Sequence, residues 1–166
     1  MVDRREVWDG IDRLSATYSD FPWFVLGDFN EIRKISERIS VSRPQWARIE
    51  EFNNCVLSSK LMEGEHMGPE FTFCNDRIGR GRVVSRLDRV LCSHRVLELW
   101  PQMATKNLGF GTSDHRALHV VLSATQSKGR APFRFTNSWV DRPDFRDIVE
   151  EETWVTLIMV ILCTDL

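Results

Sequence analysis

Three short polar clusters in this 166-residue chain combine residue types that can move protons and hold a phosphate. Asp28 and Asn30 close the apolar run "WFVLGDFN", Asp88 interrupts "SRLDRVL", and Asp114 with His115 ends "GTSDH". Taken singly, each has an ordinary explanation: an Asp after a strand caps a turn, and a lone His is usually a satisfied surface or core group. Asp88 says more. It breaks an apolar pattern of Val83, Val84, Leu87, Val90 and Leu91, where an unpaired carboxylate is costly, so it needs a partner, and a histidine would serve. Phosphodiester hydrolysis uses such a set. A divalent metal takes hard oxygen ligands, the attacking water needs a carboxylate or imidazole to orient it and take its proton, and the charge developing at phosphorus needs hydrogen-bond donors.

The elements that must position these groups follow from periodicity. Val7, Trp8, Ile11, Leu14 and Tyr18 recur on one helical face, and Asp3 with Glu6 has the spacing of a capping box. "WFVLGD" is short, continuous and bounded by Pro22 and Gly27, which predicts a strand buried on both faces. A second helix is expected from about Pro44 to Leu61, capped by Ser42, with Trp46, Ile49, Phe52, Val56 and Leu57 as its core stripe. A strand around Phe71 to Asn75 should meet one around Val83 to Leu91 across Gly79-Arg80-Gly81 as a β-hairpin. "SHRVLELW" reads as a short helix, "KNLGFGTSDH" as irregular, and "RALHVVLSA" as a final strand. This order is a mixed α/β (α+β) pattern with polar residues at strand ends. Beyond it lie a linker and a helix near Pro143 carrying Phe145, Ile148 and Val149, then the apolar tail "WVTLIMVILC", about half the length of a membrane span.

Composition bounds the rest. The length and 42% apolar content suit one domain with a real core. With 22 basic and 24 acidic residues the formal charge is -2, which excludes a uniformly basic polyanion binder, so any nucleic-acid affinity must come from a local patch. Cys55, Cys74, Cys92 and Cys163 form no CxxC pair, and free thiols in a reducing compartment are expected rather than a zinc or redox site. The charged start "MVDRREVWDG" lacks an apolar signal core, so an intracellular, non-secreted protein is expected.

In order and spacing, "GDFN", "SRLDRVL" and "SDH" resemble the second half of the endonuclease/exonuclease/phosphatase superfamily, which shares the DNase-I-like fold. More narrowly, "PWFVLGDFNEI", "FTFCNDRIGRGRVVSRLDRVL", "GTSDHRAL" and "PFRFTNSWVDRPDF" look like the endonuclease region of plant non-LTR (LINE-type) retrotransposon polyproteins. The resemblance covers roughly residues 2 to 153. It implies a magnesium-dependent DNA endonuclease, nuclear in the parent element, in which Asp28 orients or deprotonates the attacking water and Asn30 hydrogen-bonds the scissile phosphate. His115 would contact the phosphate and act in proton transfer, with Asp88 fixing its ring, and Asp114 would lie at the magnesium ion. The segment around Gly79 to Arg82 matches the family's DNA-contacting loop. Between Asp76 and Arg95 six arginines face two aspartates, so Arg77, Arg80, Arg82 and Arg86 are expected to bind nucleic acid.

The family's opening strand with its asparagine, its metal-binding glutamate and its catalytic tyrosine or histidine have no counterpart here. Residues 1–124 therefore read as the C-terminal half of the domain, a partial αββα sandwich lacking on the order of 100 residues, followed by a linker over 125–140 and a C-terminal helix and apolar tail over 141–166. The expectation is a remnant of a magnesium-dependent endonuclease, inactive alone, with weak metal binding and exposed strand edges. Two alternatives stand beside it. One is an enzyme completed in trans by a chain supplying the missing half, and the other is a nucleic-acid-binding module that uses the arginine-rich hairpin without cutting.

Overall fold

The computed structural model describes residues 4–123 and the backbone of residues 158–162. Its described residues form a mixed α+β fold of three small sheets and three α-helices. Helix α1 (Arg4–Thr17) buries Trp8 and Ile11, while Val7, Leu14 and Tyr18 pack at the rim of the same cluster. The predicted stripe is the packed one. Asp3, the expected cap, lies outside the described residues.

Strand β1 (Trp23–Asp28) is central to the main sheet. One edge pairs antiparallel with β7 (Asp88–Cys92), which in turn carries β3 (Met62–Glu63). The other edge pairs in parallel with β10 (Ile158–Leu162). The pleat sends alternate side chains to opposite faces, and both faces of β1 are covered. Trp23 and Val25 join Leu91 beneath α1 and α2 (Trp46–Ser58), in a cluster completed by Phe29, Phe52, Cys55, Val56 and Leu61. On the other face Phe24, Val90 and Cys92 pack with Val96 of α3 (His94–Leu99), Met103, and the half-buried Leu118 and Val120. A strand buried on both sides needs an unbroken apolar run, which is what "WFVL" supplies.

Several expectations need correction. Helix α2 starts at Trp46 behind Gln45, whose side chain makes no cap bond, rather than at Pro44 behind Ser42. Its inward face is Ile49, Phe52, Cys55 and Val56. Trp46, at the first position of the helix, is 69% exposed, and Leu57 is exposed because it sits about 100° around the helix from Val56. The hairpin forms as β5 (Phe73–Cys74) against β6 (Val84–Ser85), but it stops there. Residues 86 and 87 change direction, and β7 leaves for the main sheet. Strand β6 pairs instead with β2 (Arg38–Ile39) on its far side. Of "KNLGFGTSDH" only "GTSDH" is irregular: β8 (Ala104–Phe110) runs between β4 (Glu65–Met67) and β9 (Arg116–Val121), with a bulge between Asn107 and Phe110. Pairing on both sides overrides the poor strand propensity of Lys, Asn and Gly. In the apolar tail, for which the sequence predicts no element, residues 158–162 form a strand that lies along β1. The linker at 125–140 and the helix near Pro143 fall outside the described residues.

Cys55, Cys74 and Cys92 are buried and unpaired, and burial pushes the Cys55 and Cys92 thiols up to about 11, so neither is a thiolate at neutral pH. Among the described residues no helix is long and apolar enough to cross a membrane.

Strands β4 and β8 hold a pH-sensitive contact. The Asn107 amide nitrogen donates to the Pro69 carbonyl at 3.0 Å and to His66 Nε2 at 2.7 Å, a bond that needs that ring nitrogen unprotonated. Burial and then the nearby Arg86 charge hold His66 below its ordinary 6.5, outweighing Glu63 and Glu70. Unfolding therefore takes up a proton. The stabilisation is complete above the unfolded value of 6.5 and is lost as pH falls from there through the folded-state value. Melting temperatures between about pH 8 and pH 5 are expected to fall less steeply for His66→Gln than for the wild type. Parallel curves would remove His66 as the cause.

Candidate functional site

The three sequence clusters converge where β1 ends, β7 begins and β9 is about to start. In the β1–β7 register Asp28 stands directly opposite Asp88. Two carboxylates across an antiparallel pair repel, so this position is destabilising unless a cation or a donor sits between them. His115 supplies one: its Nδ1 lies 2.9 Å from Asp88 Oδ2. Ligand atoms of Asp28, Asp88 and His115 all lie within 4.8 Å of one another. With Asp88 as an ionised acceptor, the proton resides on Nδ1 and Nε2 is left as the basic ring nitrogen.

Each residue is held by backbone geometry. Gly27 has φ of 135°, a conformation a side chain resists, and it turns β1 into the corner. Asp28 Oδ1 accepts the Asn30 backbone N–H at 2.8 Å, and Asn30 itself is left-handed at φ 52°, an Asx turn of the kind Asn tolerates. Asp28 thus closes a turn and at the same time stands beside Asp88 and His115. Between them Phe29 points into the core, where its ring lies 5.2 Å from Phe52 and 6.3 Å from Trp8. Its N–H donates to the Leu87 carbonyl at 3.0 Å, which ties the corner to the start of β7.

Sequence reasoning missed two supporting residues. Thr72, fully buried, accepts the N–H groups of both Leu87 and Asp88 at 3.0 Å through Oγ1, and so sets the backbone from which Asp88 projects. Phe73 bridges to His115 and its ring lies 5.0 Å from the imidazole. The segment from Thr72 to Cys74 therefore stitches the Asp88 strand to the His115 strand, with Arg116 N–H donating to the Thr72 carbonyl at 2.8 Å and Cys74 N–H to the Asp114 carbonyl at 2.9 Å. The alternation in "FTF" was the only local sign of it.

Asp114 does not join the cluster. It is exposed, and what it contributes to the stitching is its carbonyl. The donor set that does assemble is two carboxylates and an imidazole, with Nδ1 already committed to Asp88. Magnesium demands near-octahedral oxygen coordination, so these three residues do not make a magnesium cage by themselves; an imidazole suits softer divalent ions better.

Arg86 departs from the expected patch as well. Its Nη2 donates to Glu63 Oε1 at 2.6 Å and it turns inward, beside Arg89, whose side chain is 0% exposed and pairs with Glu37 and Glu63. Arg95 pairs with Glu98 at 3.0 Å. Arg77, Arg80 and Arg82 are exposed on the loop, whose shape is set by Asn75: its side chain accepts Val83 N–H at 2.9 Å and donates to the Gly81 carbonyl at 3.0 Å. Ile78, 95% exposed, is at the tip. Compared with known proteins, the chain matches no protein-family model and no curated protein sequence.

Proposed function

We propose that the chain carries the acid–base corner of a nucleic-acid phosphodiesterase, a remnant of the endonuclease/exonuclease/phosphatase kind with a partial DNase-I-like sandwich and a LINE-type retrotransposon origin. The observation that carries this reading is the convergence of Asp28, Asp88 and His115 from three separate segments onto one point, with two carboxylates directly opposed and the imidazole bound to one of them. Core packing has no use for such an arrangement, since it costs repulsion and desolvation. In hydrolysis, Asp28 would orient the attacking water and take its proton as the water oxygen bonds to phosphorus and the bond to the leaving oxygen breaks. The Asn30 side-chain amide would donate to a phosphate oxygen. His115, fixed in one tautomer by Asp88, would face the phosphate through Nε2 and share in proton transfer. The donor set fits a magnesium ion poorly, so the remnant alone lacks the charge neutralisation that hydrolysis needs and does not cut.

The dyad is checked independently of turnover: nitrogen-detected NMR is expected to place the His115 proton on Nδ1, and Asp88→Asn should shift that tautomer. In a supercoiled-plasmid assay with magnesium, the wild-type chain and His115→Ala are both expected to stay within about twofold of the chelator control, whereas loss of a working general acid–base would cost about 10²–10⁴-fold. The remnant reading is falsified if magnesium-dependent nicking appears in the wild type and vanishes in His115→Ala.

A non-catalytic nucleic-acid-binding role for the loop is favoured by the exposure of Arg77, Arg80 and Arg82. Salt-dependent DNA affinity that survives chelation and His115→Ala would support it.

A further inference from the structure

A second charged feature adjoins the corner, lined by none of the loop arginines. A cavity of about 280 Å³ opens beside Asn30 and Leu87 and runs toward the start of α2. Four arginines line it, Arg4, Arg38, Arg43 and Arg48, against a single carboxylate, Glu31. Glu31 pairs with Arg4 at 3.7 Å, and Arg38 Nε donates to the Ser40 hydroxyl at 3.1 Å. Among the described residues no carboxylate pairs with Arg38, Arg43 or Arg48, although the chain as a whole is net acidic at -2. Holding three unpaired guanidinium groups around one concavity is electrostatically unfavourable until an anion enters.

Resting on the reading of the corner given above, we propose that this cavity is a phosphate subsite. It takes one backbone phosphate of a nucleic-acid strand, next to the phosphate that lies at Asn30. Three observations select a strand over a free anion. Asn30 lines the cavity and also belongs to the corner, so two successive phosphates reach both places along one backbone. The volume lies near the lower end for ligand pockets, room for a phosphate with part of its sugar. Trp46, 69% exposed at the first position of α2 and next in chain to the cavity-lining Gln45, is a ready stacking surface for a base. Guanidinium forks match phosphate oxygens in pairs, which suits Arg43 and Arg48 better than lysines would.

The test uses the full chain and a fluorescein-labelled 12-base-pair duplex with a short single-stranded overhang that supplies unstacked bases, followed by anisotropy from low to moderate salt. Arg43 and Arg48 are exposed and outside the corner, so Arg43→Gln/Arg48→Gln should melt like the wild type. It is expected to bind the duplex about tenfold more weakly and to lower the slope of log affinity against log salt by about 0.9, one phosphate contact. Trp46→Phe should reduce the tryptophan quenching seen on binding. Unchanged affinity and slope in the double variant would overturn the proposal. So would a loss of inorganic phosphate binding with duplex affinity intact, which would mark a small-anion site. The His115 tautomer reports on the corner separately, so either reading can fail while the other stands.

Discussion

Phe29→Ala is expected to destabilise the protein by about 3–5 kcal/mol, a fall in melting temperature of about 10 °C for a chain of this length. The ring is almost wholly buried and sits in the aromatic group formed with Trp8 and Phe52, whose own rings are 4.9 Å apart and nearly parallel. Truncation would leave a cavity beside the stacked Trp8–Phe52 pair, which α1 and α2 hold in place, so collapse around it is limited. A large share of a domain's total stability is at stake, since that total is about 5–15 kcal/mol. The effect has a local component too. Phe29 is the residue between Asp28 and Asn30, so loosening it releases the Asx turn and the spacing of Asp28 from Asp88. Phe52→Ala is the control: it removes the same aromatic contact from α2, and should lower stability by a similar amount while leaving the His115 tautomer unchanged. A melting temperature within about 2 °C of the wild type for Phe29→Ala would show that the aromatic group does not anchor the corner.

Glu37→Gln is expected to cost about 3 kcal/mol at neutral pH. The physical reason lies in Arg89, which β7 directs away from the site face and into the protein. Its guanidinium has no solvent contact and reaches Glu37 through Nη2 and Glu63 through Nη1, the latter at 3.1 Å. Glu63 also accepts from Arg86 and, at 3.3 Å, from Arg33, so it cannot balance Arg89 alone. Glu37 in addition accepts the backbone N–H groups of Arg33 at 2.7 Å and Lys34 at 3.2 Å. Burial pushes its carboxyl up, but the Arg89 charge and these hydrogen bonds prevail, and the group lies below the usual carboxylate range. Its contribution is therefore present above the unfolded value near 4.5 and is lost as pH falls from there through the depressed folded value. Urea unfolding at pH 7 and below pH 4.5 should accordingly show a large gap between wild type and Glu37→Gln at the higher pH and a narrowed one at the lower. Glu37→Leu/Arg89→Met, which removes both charges, should be less destabilised than the sum of the single changes. Strict additivity would mean that the pair is not coupled.

Arg89, counted with the basic patch, turned out buried, whereas the need of Asp88 for a partner was readable from the apolar strand it interrupts, because strand pattern is a local property. The same holds for the α1 face of Trp8 and Ile11, the unbroken run of β1, and the chain order of Asp28, Asp88 and His115. Each depends on residues within a few positions of one another. What those residues meet was not readable. Trp46 and Leu57 satisfied the helical stripe of α2 and still ended in solvent, since a stripe states which way a side chain points and not whether anything lies opposite. "KNLGFG" became β8 and residues 158–162 became the outer strand of the main sheet because neighbours distant in sequence offered unpaired backbone, and hydrogen-bond pairing outweighs intrinsic propensity. Arg86 looked equivalent to Arg80 and Arg82 in composition, yet the bend between β6 and β7 turned it onto Glu63. By itself, then, the sequence determined the polar groups available for chemistry and the order in which the chain presents them. Tertiary structure alone decided that Asp28 faces Asp88 across a strand pair, that His115 closes on them and Asp114 does not, and that Arg4 joins Arg38, Arg43 and Arg48 at one cavity. Each of these is a long-range contact, set by strand register and helix packing that no local pattern encodes.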